Sequence, residues 1–342
     1  MLGRRELLAM LGAAALAPRS FAQSGPSPAQ SLAVLQPTTV DADVLARLPA
    51  LLQEEFPATL SVRIQQRDRV LLDYRREGVE QDELFRIYSI TKSVLAVLVG
   101  IAQDRRLIAS LDLPVAAFFP EIDLTTADPR AREVTIRHLL TMTAGWSTAS
   151  QVALQPPAVT TSGFFRPFVA NPGETFNYDN NASNILGILL TRAVGQPLET
   201  FTEEVLFKPL GITNYLWRRT PDGHVATSGG LSLSTEAITR FGRLAMHGGD
   251  WNGRRIVSKD FANEMLGRRT SVNPQEGLDY GYLWFVQRTP DDKHESFIAQ
   301  GFGGQVLQFV PDHGLIITTT TEPGEKSNTR FIRNAILPAA KG

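Results

Sequence analysis

The chain has 342 residues, 43% of them hydrophobic and 20% charged, enough to bury a sizeable core in one large domain or two joined ones. The net charge is −1 with no long run of one sign, so nothing points to nucleic acid or an anionic membrane as a partner. No cysteine is present, which excludes disulfides, thiolate nucleophiles and Cys-ligated metals.

At the start, Arg4-Arg5 precede an apolar stretch from Leu7 to Ala17, and Ser20-Phe21-Ala22 offers small residues for cleavage before Gln23. Residues 1–22 are expected to be an export signal, similar to the bacterial twin-arginine type, with a plain secretory signal as the competing reading. The apolar stretch is shorter than the ~18 residues of a membrane span, so no membrane anchor is expected and the product is placed in the periplasm or medium. Residues 23–38, rich in Ser, Pro, Gln and Ala, read as a linker ahead of a domain over 39–342.

Apolar residues at Val44, Leu45, Leu48, Leu51 and Leu52 predict a helix from Asp41 to Glu55, with Asp41 as cap. Leu60–Ile64 and Val70–Tyr74, split by Arg67-Asp68, predict a β-hairpin. Next, Ser89 and Lys92 open the run Val94–Ala102, too uniformly apolar for a surface helix. Ser89 is expected at the helix N-terminus with Lys92 on the same face. Either Ser89 is a simple cap, or it is a nucleophilic hydroxyl whose base is a lysine made less basic by burial.

Further on, Thr135 is expected to cap a short helix that Gly145 ends, with His138 in it as a structural or a catalytic histidine. From Gln151 to Pro172 no periodicity is visible, which fits a lid or pocket wall, or a surface excursion. The polar cluster Asn177-Tyr178-Asp179-Asn180-Asn181 precedes an apolar helix over Ile185–Ala193 and reads as turn chemistry or as hydrogen-bonding groups facing a cleft. A Gly/Ser loop over His224–Leu233 and a helix over Thr235–His247 follow. Tyr280–Gln287, Ser296–Gln300, Gln305–Val310 and Gly314–Thr321 are strand-like, and Ser327–Leu337 closes as a helix. Two strands near the start and several near the end predict an α+β fold. One antiparallel sheet is built from both ends of the chain, and a helical lobe over roughly residues 100–255 is inserted in it.

Three motifs then stand in order: Ser89-Ile90-Thr91-Lys92, Tyr178-Asp179-Asn180 and Ala299-Gln300-Gly301-Phe302-Gly303-Gly304-Gln305. Together with their flanks they resemble the serine β-lactamase and penicillin-binding-protein superfamily over roughly residues 40–340. The match is most similar to the class C branch and its esterase, D-amino-acid amidase and 6-aminohexanoate-dimer hydrolase relatives. The resemblance implies Ser89 as nucleophile, Lys92 as its base and Tyr178 as proton relay, its phenol acidified by the neighbouring ammonium. It implies the backbone N–H groups of Ser89 and Phe302 as the oxyanion hole, and Asn180, Gln300 and Gly301 as substrate-binding residues. The implied reaction is acyl transfer on a small ester or amide, without cofactor or metal.

One departure bears on the substrate. Where β-lactamases read Lys-Thr-Gly, this chain reads Ala299-Gln300-Gly301, so the cation and hydroxyl that recognise a substrate carboxylate are missing. Neutral esters are therefore expected ahead of β-lactams. A β-lactamase or D,D-peptidase, and a non-catalytic penicillin-recognition module, are the alternatives. No G-x-S-x-G and no H-E-x-x-H occurs, and the five His are scattered.

Overall fold

The computed structural model describes residues 39–148, 163–322 and 330–341. The segments read above as export signal and linker lie outside the described residues. So does most of the stretch read as a lid.

Helix α1 spans Ala42–Glu55, and the Asp41 carboxylate accepts from the Asp43 N–H at its start. Strands β1 (Thr59–Gln66) and β2 (Arg69–Arg75) form the expected hairpin. Helix α2 covers Ile90–Asp104 and is buried at every position from Ile90 to Ala102. That is why its sequence lacks a polar stripe. At Gly100 a methyl group would meet the Phe261 ring at 2.3 Å, so this position takes no side chain. Helix α3 is short, Ile136–Leu140, and α4 spans Asn180–Val194. Helix α5 (Thr235–Met246) starts at Ser234, whose hydroxyl accepts from the Ala237 N–H.

Six strands follow: β3 (Thr270–Asn273), β4 (Leu278–Tyr280), β5 (Phe285–Arg288), β6 (Glu295–Gly301), β7 (Gln305–Val310) and β8 (Leu315–Thr321). With the hairpin they form an eight-stranded antiparallel sheet in the order β2-β1-β8-β7-β6-β5-β4-β3. The sheet thus joins both ends of the chain, through the pairing of β8 with β1.

Both faces of this sheet are covered. Side chains that alternate along its strands separate two cores. Phe297, Ala299, Leu307, Phe309 and Ile316 face α2 and the helical middle of the chain in one core. Val62, Ile64, Val306, Val310 and Ile317 face α1 and the C-terminal residues Phe331, Ile332 and Ile336 in the other. The helical middle shares its core with the sheet's inner face. Where α5 crosses the sheet, buried hydroxyls pair with each other: Ser61 with Thr235 and Thr320, and Thr239 with Thr318.

Some boundaries differ from the sequence reading. The run Tyr280–Gln287 is two strands, not one. Between them Leu283 takes φ 58° and the chain turns into the helical lobe, where the Leu283 N–H donates to the Leu140 carbonyl. The Leu283 carbonyl there accepts from Ser93 on α2. Helix α3 stops at Leu140 rather than near Gly145, because Met142 takes φ 57°. Helix α4 begins five residues before Ile185, since Asp179 caps it through the Asn181 N–H. A small three-stranded ribbon (Phe85–Arg86, Leu231–Leu233, Leu216–Trp217) had no visible signal, its strands being too short to show a period. This ribbon delivers the chain to Ser89.

Candidate active site

The chain leaves the ribbon at Arg86, and the Ile87 N–H donates to the Leu231 carbonyl. Tyr88 then takes φ 45°, a left-handed conformation costly for a residue with a β-carbon. The following Ser89 is half-buried at the head of α2. Its backbone is helical (φ −67°, ψ −8°) and its hydroxyl makes no capping bond. The cap reading therefore fails, since a capping serine needs extended backbone to reach back to the N–H groups of the first turn.

The Ser89 hydroxyl instead meets Lys92 Nζ at 2.9 Å. Lys92 Nζ has two further neighbours, Asn180 Oδ1 at 2.9 Å and the Ser228 carbonyl at 2.5 Å. Both of these can only accept. As an ammonium, Lys92 donates to all three oxygens; as a neutral amine it has two N–H groups, which the two acceptors take, and its lone pair then faces Ser89. In its neutral form Lys92 is therefore a base aimed at the serine hydroxyl. Lys92 is 1% exposed, and burial pulls its pKa from 10.5 down to about 7, against the opposing pull of the Asp179 carboxylate. Asp179 is itself held in a buried ion pair with Arg166 at 2.8 Å.

Tyr178 stands beside this pair. Its phenol is close enough to the Ser89 hydroxyl to feel it electrostatically, and its ring centroid lies 4.9 Å from Lys92 Nζ. The ring stacks on Phe285 with an interplanar angle of 8°. Burial raises the Tyr178 pKa, opposed by the Ser89 hydroxyl. This corrects the expectation of an acidified phenol: burial of the ring disfavours the phenolate, and Tyr178 keeps its proton.

The third motif ends strand β6. Strand β5 pairs with β6 only as far as Ile298, whereas β7 pairs with it through Gly301. The β5 ladder thus ends before Ala299, Gln300 and Gly301, which continue in register with β7. A methyl group at Gly301 would lie 2.3 Å from the Ile87 carbonyl oxygen, so its glycine lets the strand end approach the segment leading to Ser89. The N–H groups of Ser89 and Phe302 donate to no backbone acceptor among the described residues.

Alternation on β6 divides the other two motif positions. Ala299 is 2% exposed in the inner core, so that position offers the site a buried methyl group. Gln300 turns to the opposite face. There it lines a cavity of about 720 Å³ with Phe285, Ile298, Gln308, Arg333 and Leu337. None of Ser89, Lys92 or Tyr178 lines this cavity. The structure therefore brings Ser89, Lys92, Tyr178 and Asn180 into one cluster and sets the Gln300 side chain apart from it.

His138 lies outside the cluster. Its Nδ1 accepts from the Thr135 N–H while the Thr135 hydroxyl accepts from the His138 N–H, a reciprocal cap of α3. Sequence reasoning missed two supports of the cluster. One is the Ser228 peptide, whose carbonyl binds Lys92 and whose N–H donates to Asn184 Oδ1 at 3.0 Å. A backbone group leaves no mark in a sequence, although Asn184, one helical turn after Asn180, was a legible hint. The other is the Arg166–Asp179 pair, whose partners lie on different segments. Among the described residues, no group of three or more His, Asp or Glu side chains is arranged to hold a metal.

The chain is 29% identical over 218 residues to esterase EstB of Burkholderia gladioli, covering 53% of this chain and 54% of that protein. It thus spans about half the length of this relative. Its fold superposes on EstCE1, described as a hydrolase with promiscuous acyltransferase activity. The TM-score is 0.72 at 16% identity, over 88% of this chain and 98% of that one. It superposes similarly on a D-stereospecific amidohydrolase from a Streptomyces species, with TM-score 0.70 at 17% identity, over 86% and 98% of the two chains. The sequence model of the Beta-lactamase family matches residues 53–337, most of the chain and all three motifs, and the chain belongs to that family.

Proposed function

We propose that the protein is an exported serine hydrolase that cleaves small esters or amides through an acyl-enzyme. The observation that carries this reading is the contact set of Lys92: two obligate acceptors and one hydroxyl, in a site where burial favours the neutral amine. Ser89 Oγ attacks the carbonyl carbon as its proton passes to Lys92. The developing oxyanion is met by the N–H groups of Ser89 and Phe302. Tyr178, which keeps its proton and lies close to Ser89, hands a proton to the leaving group and recovers it through Lys92. Water then enters by the reverse route and releases the acid.

Neutral substrates are favoured over anionic ones. The apolar Ala299 faces the inner core, where it offers no charge to a carboxylate. A charge-assisted hydrogen bond is worth about 1.5–3 kcal/mol, so its lack weakens anionic substrates by roughly tenfold to a hundredfold. The test is a side-by-side assay of p-nitrophenyl acetate, a linear amide and nitrocefin with wild type and Ser89→Ala. The expected result is ester turnover well above nitrocefin turnover, both abolished in the variant, with a fluorophosphonate adduct at Ser89. Faster nitrocefin turnover would make the protein a β-lactamase, and no adduct would make it a binding module.

A further inference from the structure

Phe302 is 63% exposed, although it is a large apolar residue beside the reacting centre. Its ring packs edge-on against Tyr88, with centroids 5.6 Å apart at 65°. Neither ring belongs to the core on either face of the sheet. Both flank the candidate centre by sequence: Tyr88 immediately precedes Ser89, and Phe302 follows the close contact of Gly301 with Ile87. Tyr88 holds its place at φ 45°, a strained backbone, with the Arg86 guanidinium 4.5 Å from its ring centroid. Phe302 is thus exposed on a half-buried Tyr88, outside both cores, and its ring is apolar surface that a ligand can remove from water.

The direction of the ligand follows from Tyr178. As proton donor, Tyr178 meets the leaving group, and its aromatic neighbours are Phe176 and Phe285. The Tyr88–Phe302 pair is a separate aromatic surface, so the group lying on it is the acyl group.

We propose that Tyr88 and Phe302 form a shelf for an apolar acyl chain, making the enzyme selective for acyl groups longer than acetyl. This rests on the reading of Ser89 as nucleophile. The test separates the two by using a pair of neutral phosphonates, ethyl p-nitrophenyl methylphosphonate and ethyl p-nitrophenyl hexylphosphonate. In each, the Ser89 Oγ–P bond forms, the P–O bond to p-nitrophenolate breaks, and the serine proton passes to Lys92. No redox change and no turnover is needed. The P-alkyl chain occupies the place of the acyl chain.

With rates corrected for alkaline hydrolysis, the hexyl reagent is expected to label wild-type Ser89 about tenfold faster than the methyl reagent. Phe302→Ala should lower this hexyl-to-methyl ratio about tenfold, while Phe302→Leu, which keeps apolar area, should retain most of it. The ratio is taken within one protein preparation, so partial loss of fold cancels. A wild-type ratio near one overturns the shelf and leaves the nucleophile standing. Equal slowing of both reagents in Phe302→Ala also overturns it. Failure of both reagents to label wild-type Ser89 overturns the nucleophile and the shelf together.

Discussion

In the proposed mechanism Lys92 concentrates the proton transfers in one nitrogen. Its pKa of about 7 places the change from ammonium to amine within the working range of an enzyme at neutral pH. kcat/KM for a neutral ester is therefore expected to rise with pH along a limb centred near 7. Tyr178 adds no descending limb below pH 10, because burial moves its pKa upward from 10.0. The same burial acts on stability. The native state holds Lys92 near 7 and the unfolded chain holds it near 10.5, so between these values the unfolded state binds more protons. Stability contributed by this group thus rises with pH across that window, by at most about 1.4 kcal/mol per pH unit. The full penalty of burying the charge applies below about 7. Denaturant melts from pH 7 to 10 should show Lys92→Met lacking this rise, and parallel slopes for the two proteins would contradict the assignment.

At the scale of elements, the site depends on where strands stop. Strand β5 ends its pairing with β6 at Ile298, while β7 holds Ala299, Gln300 and Gly301 in register. Gly301 then sets the distance from this strand end to the segment carrying Ser89. Gly301→Ala would press a methyl group on the Ile87 carbonyl, a backbone atom that no rotamer change can move aside. The strand end must shift, which would separate the N–H groups of Ser89 and Phe302. Loss of one oxyanion donor typically lowers kcat by about a hundred- to a thousandfold. The expected outcome is a kcat loss of that order with little change in KM, and a stability loss of about 1–3 kcal/mol by thermal melting. A variant with unchanged kcat would show that this approach does not set the site.

At the scale of the molecule, Lys92 sits on α2, with Ser89 just before its first residue, between the sheet's inner face and the helical middle, which share one core. Tyr178 and Asn180 come from the head of α4, Ser228 from the loop between the ribbon strands Leu216–Trp217 and Leu231–Leu233, and Phe302 from the turn after β6. No helix of the described residues is long and apolar enough to cross a membrane. Export is proposed from the arginine pair and the apolar stretch that follows it. Mass spectrometry of protein recovered from the medium or periplasm should find an N-terminus at Gln23, and material still starting at Met1 would count against the signal.

The sequence alone determined what is local. The apolar run Val94–Ala102 read as a helix buried on all sides, and the i, i+3 spacing placed Lys92 beside Ser89. Alternation and turn residues located the first hairpin and the last three strands to within a residue or two. The order of three short motifs carried the family. Tertiary structure decided what depends on distant partners. It placed the Gln300 side chain in a cavity that Ser89, Lys92 and Tyr178 do not line, because the pairing of β6 with β7 fixes which face each residue takes. It kept the proton on Tyr178, because burial raises its pKa and outweighs the opposing effect of the Ser89 hydroxyl. It supplied the Ser228 carbonyl, a group every residue possesses, which only the fold could bring to Lys92.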